Sequence, residues 1–126
     1  MLVNKYVSCK DYAKEKPEVK KSIQKAMTRL AERILTYYQQ GVTFNKIFND
    51  DMTKYDKHGE FYTFKAHDIG NTQLRILYAC ITYKDEIKIV VATYYVKRTN
   101  TKEYITHFSR YKNYTAEQIL QNAVSM

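Results

Sequence analysis

Tryptophan is absent from this 126-residue chain, and cysteine appears only twice, proline once and glycine three times. The two cysteines, Cys9 and Cys80, lie far apart without CxxC or Cys/His spacing. That excludes a zinc motif and a disulfide framework and leaves two buried, reduced thiols as the expectation. No run approaches the roughly 18 apolar residues of a membrane-crossing helix. The opening MLVNKYVSCK meets a lysine at position 5, which excludes an ordinary signal peptide. A cytoplasmic protein with no membrane partner is expected. Neither GxxxxGK nor HExxH occurs, so a phosphate-cradling loop and a zincin site find no support, and no metal or other cofactor is expected.

Acidic residues are also scarce. Thirteen Asp and Glu face 21 Lys and Arg, for a net charge of +8 spread over both halves of the chain. Such a surface concentrates polyanions, so nucleic acid or an acidic protein stands beside the plainer reading of a soluble basic domain. What the sequence does have is tyrosine: 13 Tyr with 5 Phe. An apolar ring with a polar tip suits half-exposed surfaces that stack on a partner, and it also suits ordinary strands. With 44% hydrophobic residues the chain has enough for one packed core and too little length for two, so residues 1–126 are read as a single domain.

The order of elements follows from periodicity and turn chemistry. Residues 2–9 read as a first strand, followed by a helical turn at 10–15. Pro17 sits where a helix can begin, and Val19, Ile23, Met27, Leu30 and Ile34 recur every three or four residues. The pattern predicts a helix over 17–40, stopped by Gly41 in a left-handed cap. Residues 42–60 form an extended connection of turn formers and mixed charge, with His58 exposed beside Gly59. Three strands follow at 60–67, 73–83 and 86–96, joined by connections short enough for hairpins, and the third is apolar enough to be covered on both faces. A helical segment carries Ile105 and Phe108. The run TAEQ at 115–118 then has the form of a capping box opening a last helix whose apolar face is Ile119, Leu120, Ala123 and Val124. The whole describes an α+β domain, with a helix layer against one antiparallel sheet.

The cations on the C-terminal strands are not scattered. A hairpin folds Lys65 toward Arg75, and the third strand returns Arg98 toward the same end, with Tyr104 close by. Like charges so gathered either hold an anion or are solvated strand ends. Arginine forks match phosphate oxygens, a lysine among arginines loses affinity for its proton and can serve as a base, and a tyrosine ring can stack a base. His67, two residues past Lys65, and His107, three past Tyr104, are further acid–base candidates, and Lys97, Lys102 and Arg110 extend the positive surface.

These residues bring a family into view. FYTFK, followed by LRILYACITYKDEIKIVVATYYVKRTNTKEY, resembles the C-terminal half of the RelE/HigB-like toxins of bacterial toxin–antitoxin systems, within the RelE/ParE superfamily. LRILY supplies Arg75, VKR supplies Arg98, and Tyr104 stands six residues beyond it. The resemblance spans residues 60–112 by motif and the first 40 residues by pattern. It implies a strand and long helix packed on a β-meander with short C-terminal helices. It also implies metal-independent cleavage of mRNA in the ribosomal A site, by attack of a ribose 2′-hydroxyl on the adjacent phosphate. Lys65 would act near the 2′-oxygen, Arg75 on the phosphate, Arg98 on the phosphate or leaving group, and Tyr104 on a nucleotide. His67, Lys97, Lys102, His107 and Arg110 would contact RNA, and a cognate antitoxin would wrap the sheet and helices. The sequence departs from the pattern at Thr63, where some members carry a second lysine, and in the length of the 42–60 connection. Two alternatives stand beside this one: a ParE-like toxin directed at DNA gyrase, and a non-catalytic basic nucleic-acid-binding accessory protein.

Overall fold

A computed structural model describes residues 2–42, 57–69, 72–97 and 103–126. Strand β1 (Leu2–Val7) leads through a one-turn helix α1 (Lys10–Lys14) into the long helix α2 (Pro17–Gln39). Pro17 occupies the first turn of α2, where a missing N–H costs nothing. Val19, Ile23, Ala26, Met27, Leu30 and Ile34 are all buried along one stripe. Burying a side chain of the Ile, Leu or Met class is worth about 1.5–3 kcal/mol, so this stripe, more than local propensity, holds the helix in place. Gly41, at φ +77°, ends it. Its N–H bonds the Tyr38 carbonyl and the Val42 N–H the Tyr37 carbonyl, which is the Schellman pattern that satisfies two orphan carbonyls.

The short strand β2 (Lys57–His58) turns into β3 (Phe61–Ile69), β4 (Thr72–Tyr83) and β5 (Glu86–Lys97), followed by helices α3 (Glu103–Ser109) and α4 (Ala116–Leu120) and a terminal strand β6 (Val124–Ser125). The six strands form one sheet in the order β2-β3-β4-β5-β1-β6. The expectation of a wholly antiparallel sheet is corrected, because β1 lies parallel to β5 along its full length. It joins an otherwise antiparallel meander from the far side, reached through α2.

Helices lie on both faces, where one layer was expected. On one face α2 packs over Val7, Leu74, Ile76, Tyr78, Ile87, Ile89 and Val91. On the other, Tyr104, Phe108 and Ala116 of α3 and α4 close over Phe61, Leu77, Ala79 and Ala92. The two faces explain why β5 reads as a nearly continuous apolar run. The capping box forms as expected: Thr115 Oγ1 accepts from the Gln118 N–H and the Gln118 side chain accepts from the Thr115 N–H. The last helix is shorter than its apolar pattern promises. Val124 leaves it to pair with Val7 at the sheet edge and is 65% exposed. The open edge of β1 takes the chain end, and the Met126 N–H donates to the Lys5 carbonyl at 2.9 Å. Among the described residues no helix is long and apolar enough to cross a membrane.

Candidate functional site

Two adjacent strands place the first pair of cations. In the β3–β4 hairpin Lys65 stands directly opposite Arg75, and Thr63 opposite Leu77. Alternation along a strand then puts Thr63, Lys65, Arg75 and Leu77 on the face that α3 covers. Arg75 is 4% exposed and Thr63 is 2% exposed, both unusual for polar side chains.

The guanidinium of Arg75 is held on several sides. Its Nη2 donates to Gln73 Oε1 at 2.7 Å and its Nη1 to the Leu74 carbonyl at 3.3 Å. Its carbon lies 5.5 Å from the centre of the Tyr104 ring. Tyr104 comes from the first turn of α3, is 3% exposed, and meets Phe108 edge-on at 5.6 Å between ring centres. Three polar atoms on this face remain without a hydrogen bond among the described residues, Arg75 Nε, Thr63 Oγ1 and His58 Nε2. Buried polar atoms of this kind are costly unless a ligand or ordered water meets them, and Arg75 and Thr63 carry theirs at register positions next to Lys65.

Arg75 also has a partner on its other side. A two-residue turn sets Tyr83 opposite Glu86, and that register, carried back unbroken, would pair Arg75 with Tyr94. An extra residue in β5, Ala92, shifts the register between Leu77 and Tyr78, so Tyr95 stands opposite Arg75 instead. Tyr94 is thereby turned to the α2 face, where its hydroxyl donates to Glu15 Oε2 at 2.7 Å. Tyr95 donates to Glu103 Oε2 at 3.0 Å, which ties the start of α3 to β5, and that bond holds its phenol above the usual range.

His107, one turn beyond Tyr104, meets the same face of the sheet further along, over β5 and toward the end of β1. Its Nε2 lies 3.2 Å from Thr93 Oγ1, and its ring is 6.2 Å from that of Tyr95. Thr93 Oγ1 also reaches Cys9 Sγ at 3.9 Å. Burial, with the Arg110 charge beside it, pushes the imidazole below its usual value, while Asp11 pulls partly the other way. His107 and Arg110 line one cleft together with Ser8, Cys9 and Lys10.

The remaining candidates divide by position. Arg98 and Lys102 lie outside the described residues. His67 and Lys97 are placed by their backbones only, His67 where the β3–β4 register shifts between Ala66 and Ile69 and Lys97 opposite Gln73. The expectation of an exposed His58 is corrected: it belongs to β2, is half-buried, and packs edge-on against Phe108 at 6.4 Å. Cys9 and Cys80 are free thiols, half-buried where full burial was expected. Sequence reasoning missed Gln73, Thr93, Tyr95 and Glu103. Only the β5 bulge puts the two from that strand on this face, and no side-chain pattern announces an extra residue in an apolar strand. Among the described residues no three His, Cys, Asp or Glu side chains converge as a metal site. Comparison with protein families, with curated proteins and with solved structures finds no match.

Proposed function

We propose that the chain is a RelE/HigB-like toxin, a ribosome-dependent and metal-independent mRNA endonuclease neutralised by a cognate antitoxin. The observation that carries this reading is the buried Arg75, opposite Lys65 in register, with its Nε lacking a hydrogen bond among the described residues. A buried cation with donor capacity left over fits a phosphate oxygen, and a site fixed by neighbours needs little reorganisation as charge develops on that oxygen. In the reaction the 2′-oxygen bonds to phosphorus, the bond to the 5′-oxygen breaks, one proton leaves the 2′-hydroxyl and one is given to the departing oxygen. Arg75 holds the phosphate, Lys65 serves the 2′-oxygen, and Arg98 acts on the phosphate or leaving group. Tyr104, buried beneath Arg75, aims the guanidinium. The role of stacking a nucleotide, expected of Tyr104, falls better to the half-exposed Tyr95 on the same face.

One observation favours a second reading. Arg75 and Tyr104 are so enclosed that their contact also serves as a polar pillar in a fold with a different target, such as the gyrase of a ParE-like toxin. Induced expression of the wild type and of an Arg75→Ala, Arg98→Ala double variant, with primer extension on a reporter mRNA, separates the two. Growth arrest with cuts in translated codons, lost in a variant that still accumulates as folded protein, is the expected result. Arrest without cuts, or cuts that persist in the variant, would overturn the nuclease reading.

A further inference from the structure

Where α3 ends, the end of β1 and the connection between α3 and α4 enclose a cleft of about 430 Å³. That is within the range of small-ligand sites, roughly 300–1,000 Å³. We infer that this cleft is a nucleoside-phosphate site, with the phosphate between Lys10 and Arg110 and the heterocycle against Tyr114.

The walls divide by chemistry. Lys10 opens α1 on one side and Arg110 follows α3 on the other, and both are exposed. Among the described residues neither side chain has a hydrogen-bonded partner to occupy it. Asp11 and Glu15 are the acidic groups of the neighbouring helical turn. Glu15 is engaged by Tyr94, and the Asp11 charge, felt at His107 in the lining, offsets one of the two cations, so the mouth keeps a net positive charge. A phosphate suits them because a guanidinium fork takes two of its oxygens while an ammonium takes a third as a point charge.

The rest of the lining suits a ring. Tyr114 is 49% exposed, and its ring is braced by Tyr111 at 5.9 Å and 47°. A large aromatic fixed on one side and open to solvent on the other is a stacking surface for a base. Ala92 and Ile119 supply apolar contact, and the Asn122 amide offers a donor and an acceptor for the edge of the heterocycle. Other polar groups of the lining are committed already: Ser8 Oγ donates to the carbonyls of Val91 and Ala92, and Cys9 Sγ and His107 Nε2 both meet Thr93 Oγ1 behind them. Recognition is therefore left to Lys10, Arg110, Tyr114 and Asn122.

The inference stands apart from RNA cleavage at Arg75, and its test separates the two sources of the ligand, a free nucleotide and the phosphorylated end of an RNA. The full chain is titrated calorimetrically with each ribonucleoside 5′-monophosphate, with inorganic phosphate, and with a trinucleotide bearing or lacking a 5′-phosphate. Arg110→Ala and Tyr114→Ala, both at exposed positions and checked for folding by circular dichroism, are compared with Lys88→Ala on a distant part of the sheet. The expected result is binding of at least one monophosphate, weakened by about tenfold or more in both cleft variants and unchanged in Lys88→Ala. Tighter binding of the phosphorylated trinucleotide would assign the site to an RNA end, and equal or weaker binding to a free nucleotide; either upholds it. No binding at millimolar concentration, binding indifferent to both cleft variants, or inorganic phosphate binding as tightly as any nucleotide would overturn it.

Discussion

The guanidinium of Arg75 sits over the ring of Tyr104 at 5.5 Å, and neither side chain is more than 4% exposed. A cation in such a place has lost most of its hydration, and the ring, Gln73 and a backbone carbonyl replace it incompletely. Replacing a buried charge by an apolar group of similar length is often neutral or stabilising, whereas truncation leaves a hole. Arg75→Met should therefore stay folded with a thermal midpoint at or above that of the wild type, while growth arrest on induction disappears. Thermal melts followed by circular dichroism check the first part. A large drop in the midpoint would mean that the guanidinium is needed to hold the sheet face together, and loss of activity in any Arg75 variant would then say nothing about chemistry.

The two turn glycines should differ sharply in what they tolerate. Gly59 has φ +61°, and a Cβ built there would lie 2.3 Å from the backbone carbonyl oxygen of Lys112, in the loop between α3 and α4. Gly41 has φ +77° with nothing within 4 Å of the same position. Gly41→Ala then meets only the left-handed backbone penalty, about 1 kcal/mol. Gly59→Ala meets that and a clash with backbone that cannot rotate away, so β2 must separate from the α3–α4 loop, and the loss should exceed about 2 kcal/mol. Urea midpoints of the two variants check the order. Equal losses would mean that the loop yields freely and contributes little to holding α3 on the sheet.

The bulge at Ala92 gives two consecutive tyrosines opposite fates, and replacing each by Phe exposes them. Tyr94 is buried on the α2 face and bonded to a carboxylate at 2.7 Å; burial first, then that bond, holds its phenol well above the usual range. Tyr94→Phe removes a charge-assisted bond and should cost about 1–2 kcal/mol. Tyr95 makes the equivalent bond to Glu103 at the surface, so Tyr95→Phe should leave the midpoint nearly unchanged. Denaturation curves that rank the two in reverse would put the register shift elsewhere in β5.

That bulge also marks where sequence reasoning stops. The buried stripe of α2, the Gly41 cap, the capping box at Thr115 and the Lys65–Arg75 pairing all follow from local spacing, because each is settled within a few residues or across one tight hairpin. The parallel docking of β1, the return of Val124 to the sheet edge and the helices on the second face depend on surfaces far apart in the chain, which no local pattern encodes. Arg75 was legible as a cation on a strand; its burial was not, since that depends on Tyr104 arriving from a helix nearly thirty residues later. The cleft at Lys10 and Arg110 escaped notice for the same reason, its walls coming from opposite ends of the sequence.

His107 gives the fold a sign-definite response to acid. Its imidazole titrates below the ordinary value of 6.5, chiefly because it is buried against β5 and then because Arg110 adds like charge, with Asp11 opposing. Between the folded and unfolded values the unfolded chain binds more protons, so stability rises with pH across that window. Acidification below about pH 6.5 should thus erode stability and stop doing so once the folded form is itself protonated. His107→Gln should lose this part of the slope, and because every other titrating group is common to both proteins, the difference between their denaturation midpoints across that range isolates the residue. The neighbours make the cause testable in turn. Arg110→Ala removes the like charge and should move the His107 ring resonance to titrate higher; Asp11→Asn removes the opposing charge and should move it lower. If both variants shift it the same way, charge is not the second cause, and a change in burial as α3 resettles on the sheet accounts for the depression instead.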